Sequence, residues 1–268
     1  MAKAPKVPFK YGRKVCVFCG GTPITEEHVW PQWAHHLLPA SVYHGRFIAT
    51  GRKSQPLTIK KNYDRQGAVT TFRVPRVCGP CNSGWMGDYE IAVRPFLEPM
   101  MRGAAVMLFE AQQKALTEYI TYKAIVLDWA DEEPLTTPEI GAAFLTDRTI
   151  PKGLIIYLFD CFEGDWRAAF RSHFVGLAPE AKFVGSHMPK NTKSLAIGFG
   201  SLFVFAMFTP AQFDLNIEFD PPPAVRLWPS ADSIISWPPP VPITSKQAEF
   251  IATTLARVDD APNVLRVD

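Results

Sequence analysis

The chain has 268 residues, enough for one large domain or two ordinary ones, and its 47% hydrophobic and 20% charged residues exclude a disordered or collagen-like chain. Its longest apolar run, Leu202–Phe208, is strand-sized and far short of the eighteen or so residues that cross a bilayer, so no membrane partner is expected. The formal net charge is only +2, but residues 1–80 hold 13 Lys and Arg against three Asp and Glu while the rest hold 15 against 23, and a basic first third suits a polyanion because cations beside phosphates release condensed counterions.

Residues 1–15 read as a basic, proline-containing arm. Its positive charges have no apolar core behind them, which argues against a signal peptide and for a cytoplasmic protein. Residues 16–100 are dense in Cys, Gly, Pro and Trp and show little hydrophobic periodicity, the texture of a small module in which metal ligands replace part of a core. Within it the pattern predicts a short helix over 31–38, and a hairpin or meander over 47–77 with strands near 57–61 and 68–74. A helix follows from about 83 to 97, discouraged from going further by Pro95 and Pro99.

Beyond residue 100 a run free of Gly and Pro predicts a helix over 110–130. Thr137 and Pro138 have the N-cap and first-turn residue types of a second helix. Strand-like runs over 154–159, 166–175, 194–197, 202–208 and 213–219 are separated by Gly, Pro and Asp turns. Prolines 221–223 and 238–240 frame an extended tail, and 245–258 reads as a closing helix. The fold class is therefore α+β with a mostly antiparallel sheet, divided into a metal-organised module over 1–100 and an accessory domain over 101–268.

Four of the five cysteines form two pairs, Cys16-Val-Phe-Cys19 and Cys78-Gly-Pro-Cys81. Two intervening residues let both thiolates of a pair reach one ion from a tight turn, so two such knuckles complete a tetrahedral zinc site. Such a shell is closed and structural. Cys161, in an apolar run, reads as a small buried hydrophobe. Trp30, Trp33 and Trp85 read as core of the small module ahead of base-stacking platforms.

Between the knuckles stands Glu27-His28-Val29-Trp30-Pro31, and directly after the last cysteine stands Asn82. Phosphodiester hydrolysis needs a base that works near neutral pH, which suits imidazole. It also needs a hard divalent cation on the scissile phosphate, which calls for oxygen ligands. His28 supplies the first, and Glu27 with Asn82 supplies donors for the second, as Mg²⁺ or Mn²⁺.

The order Cys-x-x-Cys, acid-His, Cys-x-x-Cys-Asn resembles the HNH (His-Me finger, ββα-metal) endonucleases, in particular their four-cysteine zinc branch. The longer run from Cys78 through Asn82 and Trp85 to Met86 is similar to bacterial and phage proteins labelled HNH endonucleases. The resemblance covers residues 14–98. It implies a zinc-bound ββα-metal fold for this segment, His28 as general base, and Glu27 and Asn82 as ligands of the catalytic ion. The family's final His is absent; Glu90, eight residues after Asn82, is the candidate in its place. The 49 residues between His28 and Cys78 form an insertion longer than a minimal finger. Its Arg46, Arg52, Lys53, Lys60, Lys61, Arg65, Arg73 and Arg76 suit either contact with a nucleic-acid backbone or a solvated loop.

The resulting expectation is a metal-dependent endonuclease with nucleic acid as its partner, DNA ahead of RNA, and room for a homodimer. Two other readings stay open: a non-catalytic zinc-ribbon module that binds nucleic acid or protein, and a nuclease effector regulated by its C-terminal domain.

Overall fold

A computed structural model describes residues 14–39, 41–44, 49–52, 55–59, 65–68, 72–130, 134–175, 191–209, 216–219, 224–253 and 264–267. Helix and antiparallel sheet are combined in it, as an α+β chain requires.

The described residues begin with the first Cys knuckle and β1 (Ile24–His28), which pairs antiparallel with β6 (Arg73–Cys78). Ile24 lies opposite Cys78 and His28 opposite Arg73, with an irregularity in register between Thr25 and Glu27. Between these strands come a 3₁₀ turn over Gln32–Leu37, β2 (Ser41–His44), β3 (Ala49–Arg52), β4 (Gln55–Ile59) and β5 (Arg65–Ala68). β3 and β4 pair as an antiparallel hairpin. After Cys78 the chain enters a single turn, α1 (Gly79–Cys81), then a π-helical turn over Asn82–Met86, then α2 (Gly87–Met101).

Helix α2 buries Val93, Leu97, Met100 and Met101, one stripe at helical spacing. It runs past Pro95 and Pro99, four residues beyond the expected end. The carbonyls that these prolines leave without an amide partner belong to Ile91 and Pro95. Both residues are exposed, so water can take up the missing bond while the opposite face keeps its packing. β7 (Val106–Phe109) and α3 (Glu110–Asp128) follow, and α3 is buried almost all round from Leu116 to Asp128. α4 (Pro138–Asp147) starts at Thr137 as expected.

The main sheet has seven strands in the order β13-β8-β11-β10-β9-β2-β5. β8 is Leu154–Asp160, β9 Ala169–Val175, β10 Thr192–Phe199, β11 Leu202–Phe208 and β13 Ala224–Trp228. All neighbours are antiparallel except β2 and β9. Period-2 alternation sorts the central strands onto two faces. Leu154, Ile156, Leu158, Leu195, Ile197, Val204 and Ala206 join the core that also holds α2, α3 and the cysteine knuckles. Ile155, Tyr157, Phe159, Ala196, Phe203 and Phe205 face the other way, onto Ile243 and Ala248, Ile251 and Ala252 of α5 (Ser245–Ala252). A capping box of Thr244 and Gln247 starts α5. β14 (Ile234–Trp237) pairs with β7, and β12 (Asn216–Phe219) pairs parallel with β15 (Val264–Val267). β1, β2, β7, β13, β14 and β15 are strands that the sequence pattern did not predict. Among the described residues no helix is long and apolar enough to cross a membrane.

Candidate metal centre and the charged cluster beside it

The first knuckle is shaped by its backbone. Gly20 N–H donates to Cys16 O at 2.9 Å, Cys16 N–H to Gly21 O at 3.0 Å, and Gly21 N–H to Cys19 Sγ at 3.4 Å. Gly20 has φ of +70°, a left-handed conformation that favours glycine. The ladder from β1 to β6 then sets Cys78 opposite Ile24, and α1 brings Cys81 round to the same point.

The four sulfurs of Cys16, Cys19, Cys78 and Cys81 all lie within 4.8 Å of one another. Cys19 and Cys78 are 3.4 Å apart and Cys81 and Cys19 are 3.7 Å apart. A disulfide would need about 2.05 Å, whereas tetrahedral zinc–thiolate bonds of about 2.3 Å give edges of roughly 3.8 Å. The cluster therefore fits a zinc ion. Four thiolates gathered this closely would call for a cation among them. Phe18, from the first knuckle, stacks edge-on against Trp85 at 5.0 Å, and the Arg148 guanidinium covers the other neighbourhood of that indole at 4.6 Å.

Asn82 comes next in the chain. Its Nδ2 donates to Thr25 Oγ1 at 3.0 Å and to Glu26 O at 3.2 Å, and Thr25 Oγ1 donates in turn to Val77 O at 3.1 Å. The amide thus ties the turn after the second knuckle to β1, two residues before His28. His28 is half-buried at the end of β1. Gln32 Nε2 lies 3.3 Å from its Nδ1. The His35 ring stands 5.6 Å away with its Nε2 3.1 Å from Trp30 O. Burial, then the charges of Arg73, His35 and Lys123, lower the His28 pKa. The neutral ring is the form a general base needs.

Glu27 turns the other way, into the protein, where it is 5% exposed. Its Oε1 meets Lys123 Nζ of α3 at 2.5 Å, and the same ammonium reaches His28 O at 2.8 Å and Glu90 Oε1 at 3.1 Å. The rings of Tyr122 and Tyr119 face it at 5.3 and 5.6 Å. Burial pushes the Glu27 carboxyl up and the Lys123 ammonium down, and their contact opposes both. Lys123, with two carboxylates and a carbonyl around it, is held well above the ordinary lysine value.

Glu27 and Glu90, 63 positions apart, are thus brought together, with Asn82 tied to the same strand. The place between the two carboxylates is filled by an ammonium. A divalent ion shared by Glu27 and Glu90 does not fit beside it, and Asn82 directs its amide nitrogen to β1. Lys123 was not singled out in the sequence: one lysine in a long helix carries no sign of partners 96 and 33 positions away. Of the basic residues in the insertion, Arg73 stands opposite His28 and within 3.6 Å of the exposed Glu26. Arg76 directs Nε to Trp129 O at 2.5 Å. Arg52 ends β3 and Arg65 begins β5, while Arg46, Lys53, Lys60 and Lys61 lie outside the described residues.

No protein-family model, curated protein or solved structure matches the chain.

Proposed function

We propose that the protein is an endonuclease of the HNH type that hydrolyses phosphodiester bonds in nucleic acid, DNA ahead of RNA. In this reading zinc on Cys16, Cys19, Cys78 and Cys81 is structural, and His28 removes the proton from the attacking water. The observation that carries the reading is the bond from Asn82 to β1. It sets the residue following the second cysteine knuckle beside the strand that ends in Glu27-His28, within an order of two antiparallel strands followed by a helix. The half-exposed, neutral imidazole faces the side where Arg73 offers a cation to a phosphate. Because Lys123 fills the gap between Glu27 and Glu90, we derive no catalytic step through a divalent ion at that pair.

The test is cleavage of plasmid, single-stranded DNA and RNA by the zinc-loaded protein in chelator, Mg²⁺ and Mn²⁺, with His28→Ala alongside. Loss of the general base is expected to slow cleavage by about 10²–10⁴-fold, with zinc content and melting temperature unchanged. Equal cutting by both proteins would defeat the reading.

The Lys123 contact favours a second one, a zinc-stapled binding module without catalysis, since a protein cation already neutralises the carboxylates. Salt-dependent binding of DNA, combined with no cleavage under any metal, is its signature.

A further inference from the structure

We propose that Lys123 is the resident cation of the Glu27–Glu90 pair, standing permanently where the sequence pattern reserves a divalent ion, and that it acts as a positioning residue holding the His28 end of β1 against α3. The coordination is complete in itself. An ammonium has three protons to donate, and three oxygens surround Nζ: Glu27 Oε1 at 2.5 Å, His28 O at 2.8 Å and Glu90 Oε1 at 3.1 Å. Tyr119 and Tyr122 cover the remaining approach with their ring faces, and both rings are buried. The three oxygens come from β1 and α2 and the nitrogen from α3, so one group fixes the strand carrying His28 to two helices.

The oxygens that satisfy Lys123 are also the donors that a hard divalent cation prefers. Their occupancy by the ammonium has two consequences. In the native protein the ammonium stands between the two carboxylates and leaves no place there for Mg²⁺, Mn²⁺ or Ca²⁺ to bridge them. Without the ammonium, a buried carboxylate and a half-buried one face each other, and either takes up a proton or recruits a metal.

The inference concerns the same site as the nuclease reading but is measured by stability and cation binding. An absence of cleavage leaves it standing, and its own failure leaves the His28 comparison to decide the activity. Calcium is the probe, because it seeks oxygen donors and leaves the thiolates alone. With zinc-loaded wild type, titration calorimetry is expected to give no heat that depends on Glu90, and Ca²⁺ is expected to leave Tm unchanged. Lys123→Met keeps the length and removes the charge. It is expected to lower Tm by about 10 °C, as breaking a buried pair does, and Ca²⁺ is expected to recover most of that loss; Glu90→Gln added to Lys123→Met should abolish the recovery.

Should Lys123→Met fail to fold, Glu27→Gln with Lys123→Met removes both charges of the closest contact. Folding of that double variant supports the resident-cation role, and its failure to fold means that the site needs the lysine for its shape, which overturns the proposal. Calcium binding by the wild type that disappears in Glu90→Gln also overturns it, as does a Lys123→Met protein with wild-type Tm and no response to Ca²⁺.

Discussion

At the scale of single residues, chemistry-bearing side chains were legible where spacing along the chain was itself the signal. Two cysteines separated by two residues must share a turn, and two such pairs specify a four-sulfur site with no reference to the fold; the sulfurs do converge. Asn82 was legible for its place after Cys81, but the direction of its amide was not, because that depends on Thr25 and Glu26 lying alongside. This direction has a testable consequence. Asn82→Asp removes the donor and sets an anion against the Glu26 carbonyl, and the expected cost is about 0.5–1.5 kcal/mol, the net worth of an intramolecular hydrogen bond. An asparagine that served mainly as a metal ligand would give the opposite result, since a carboxylate is the better donor to a hard cation. Chemical denaturation of the two proteins in zinc, with and without Mn²⁺, separates the cases: an Asn82→Asp protein as stable as wild type, or stabilised by Mn²⁺, would show that the bonds to β1 are not what this residue is for.

At the scale of elements, α3, β8 and β11 were legible as long uninterrupted runs, and α4 by its start at Thr137 and Pro138. The two-stranded pairings were not. β13 and β14 sit among prolines, and β7 is four residues long with partners 125–131 positions away, so nothing local distinguishes them from extended loop. The π-helical turn over Asn82–Met86 was hidden for the same reason; the sequence there reads simply as the start of a helix. Gly141 shows how packing overrides local preference. In the interior of α4, alanine is favoured over glycine by about 1 kcal/mol, so helix propensity alone makes Gly141→Ala stabilising. A Cβ at this position, however, would stand 2.1 Å from the backbone carbonyl oxygen of Val17, between the cysteines of the first knuckle, and backbone cannot swing aside as a side chain can. Overpacking of this kind costs about 1–3 kcal/mol, so the net effect expected is destabilisation with weakened zinc retention. Thermal melts and zinc-release curves of Gly141→Ala against wild type check the sign; a higher Tm with unchanged zinc affinity would show that α4 can move away from the knuckle.

At the scale of the whole molecule, the change in texture near residue 100 marks where local composition alters, while the core continues across it. Cys16, Phe18, Trp30, Cys78 and Leu97 belong to the same buried cluster as Leu116, Tyr122, Phe144, Ile156 and Ile197. Trp30 Nε1 donates to Gly198 O at 2.7 Å in a buried contact across 168 positions, linking the chain just after His28 to the middle strand of the sheet. β2 and β5, from within the long insertion, extend that sheet beyond β9. No stretch of sequence announces such connections, because each depends on burial that only the assembled fold creates. Their energetic consequence is coupling. A closed zinc site contributes its binding free energy to folding, and a knuckle whose Phe18 is wedged between Trp85 and Phe144 cannot loosen without opening the core around α2, α3 and α4. Stripping the metal with a strong chelator, or substituting Cys78→Ser, is therefore expected to lower the melting temperature of the entire protein. Zinc release, tryptophan fluorescence and far-ultraviolet circular dichroism should then follow one transition. A zinc-release step well below an unchanged main transition would mean instead that the cysteine module unfolds on its own, and that the contacts across residue 100 contribute little to holding it.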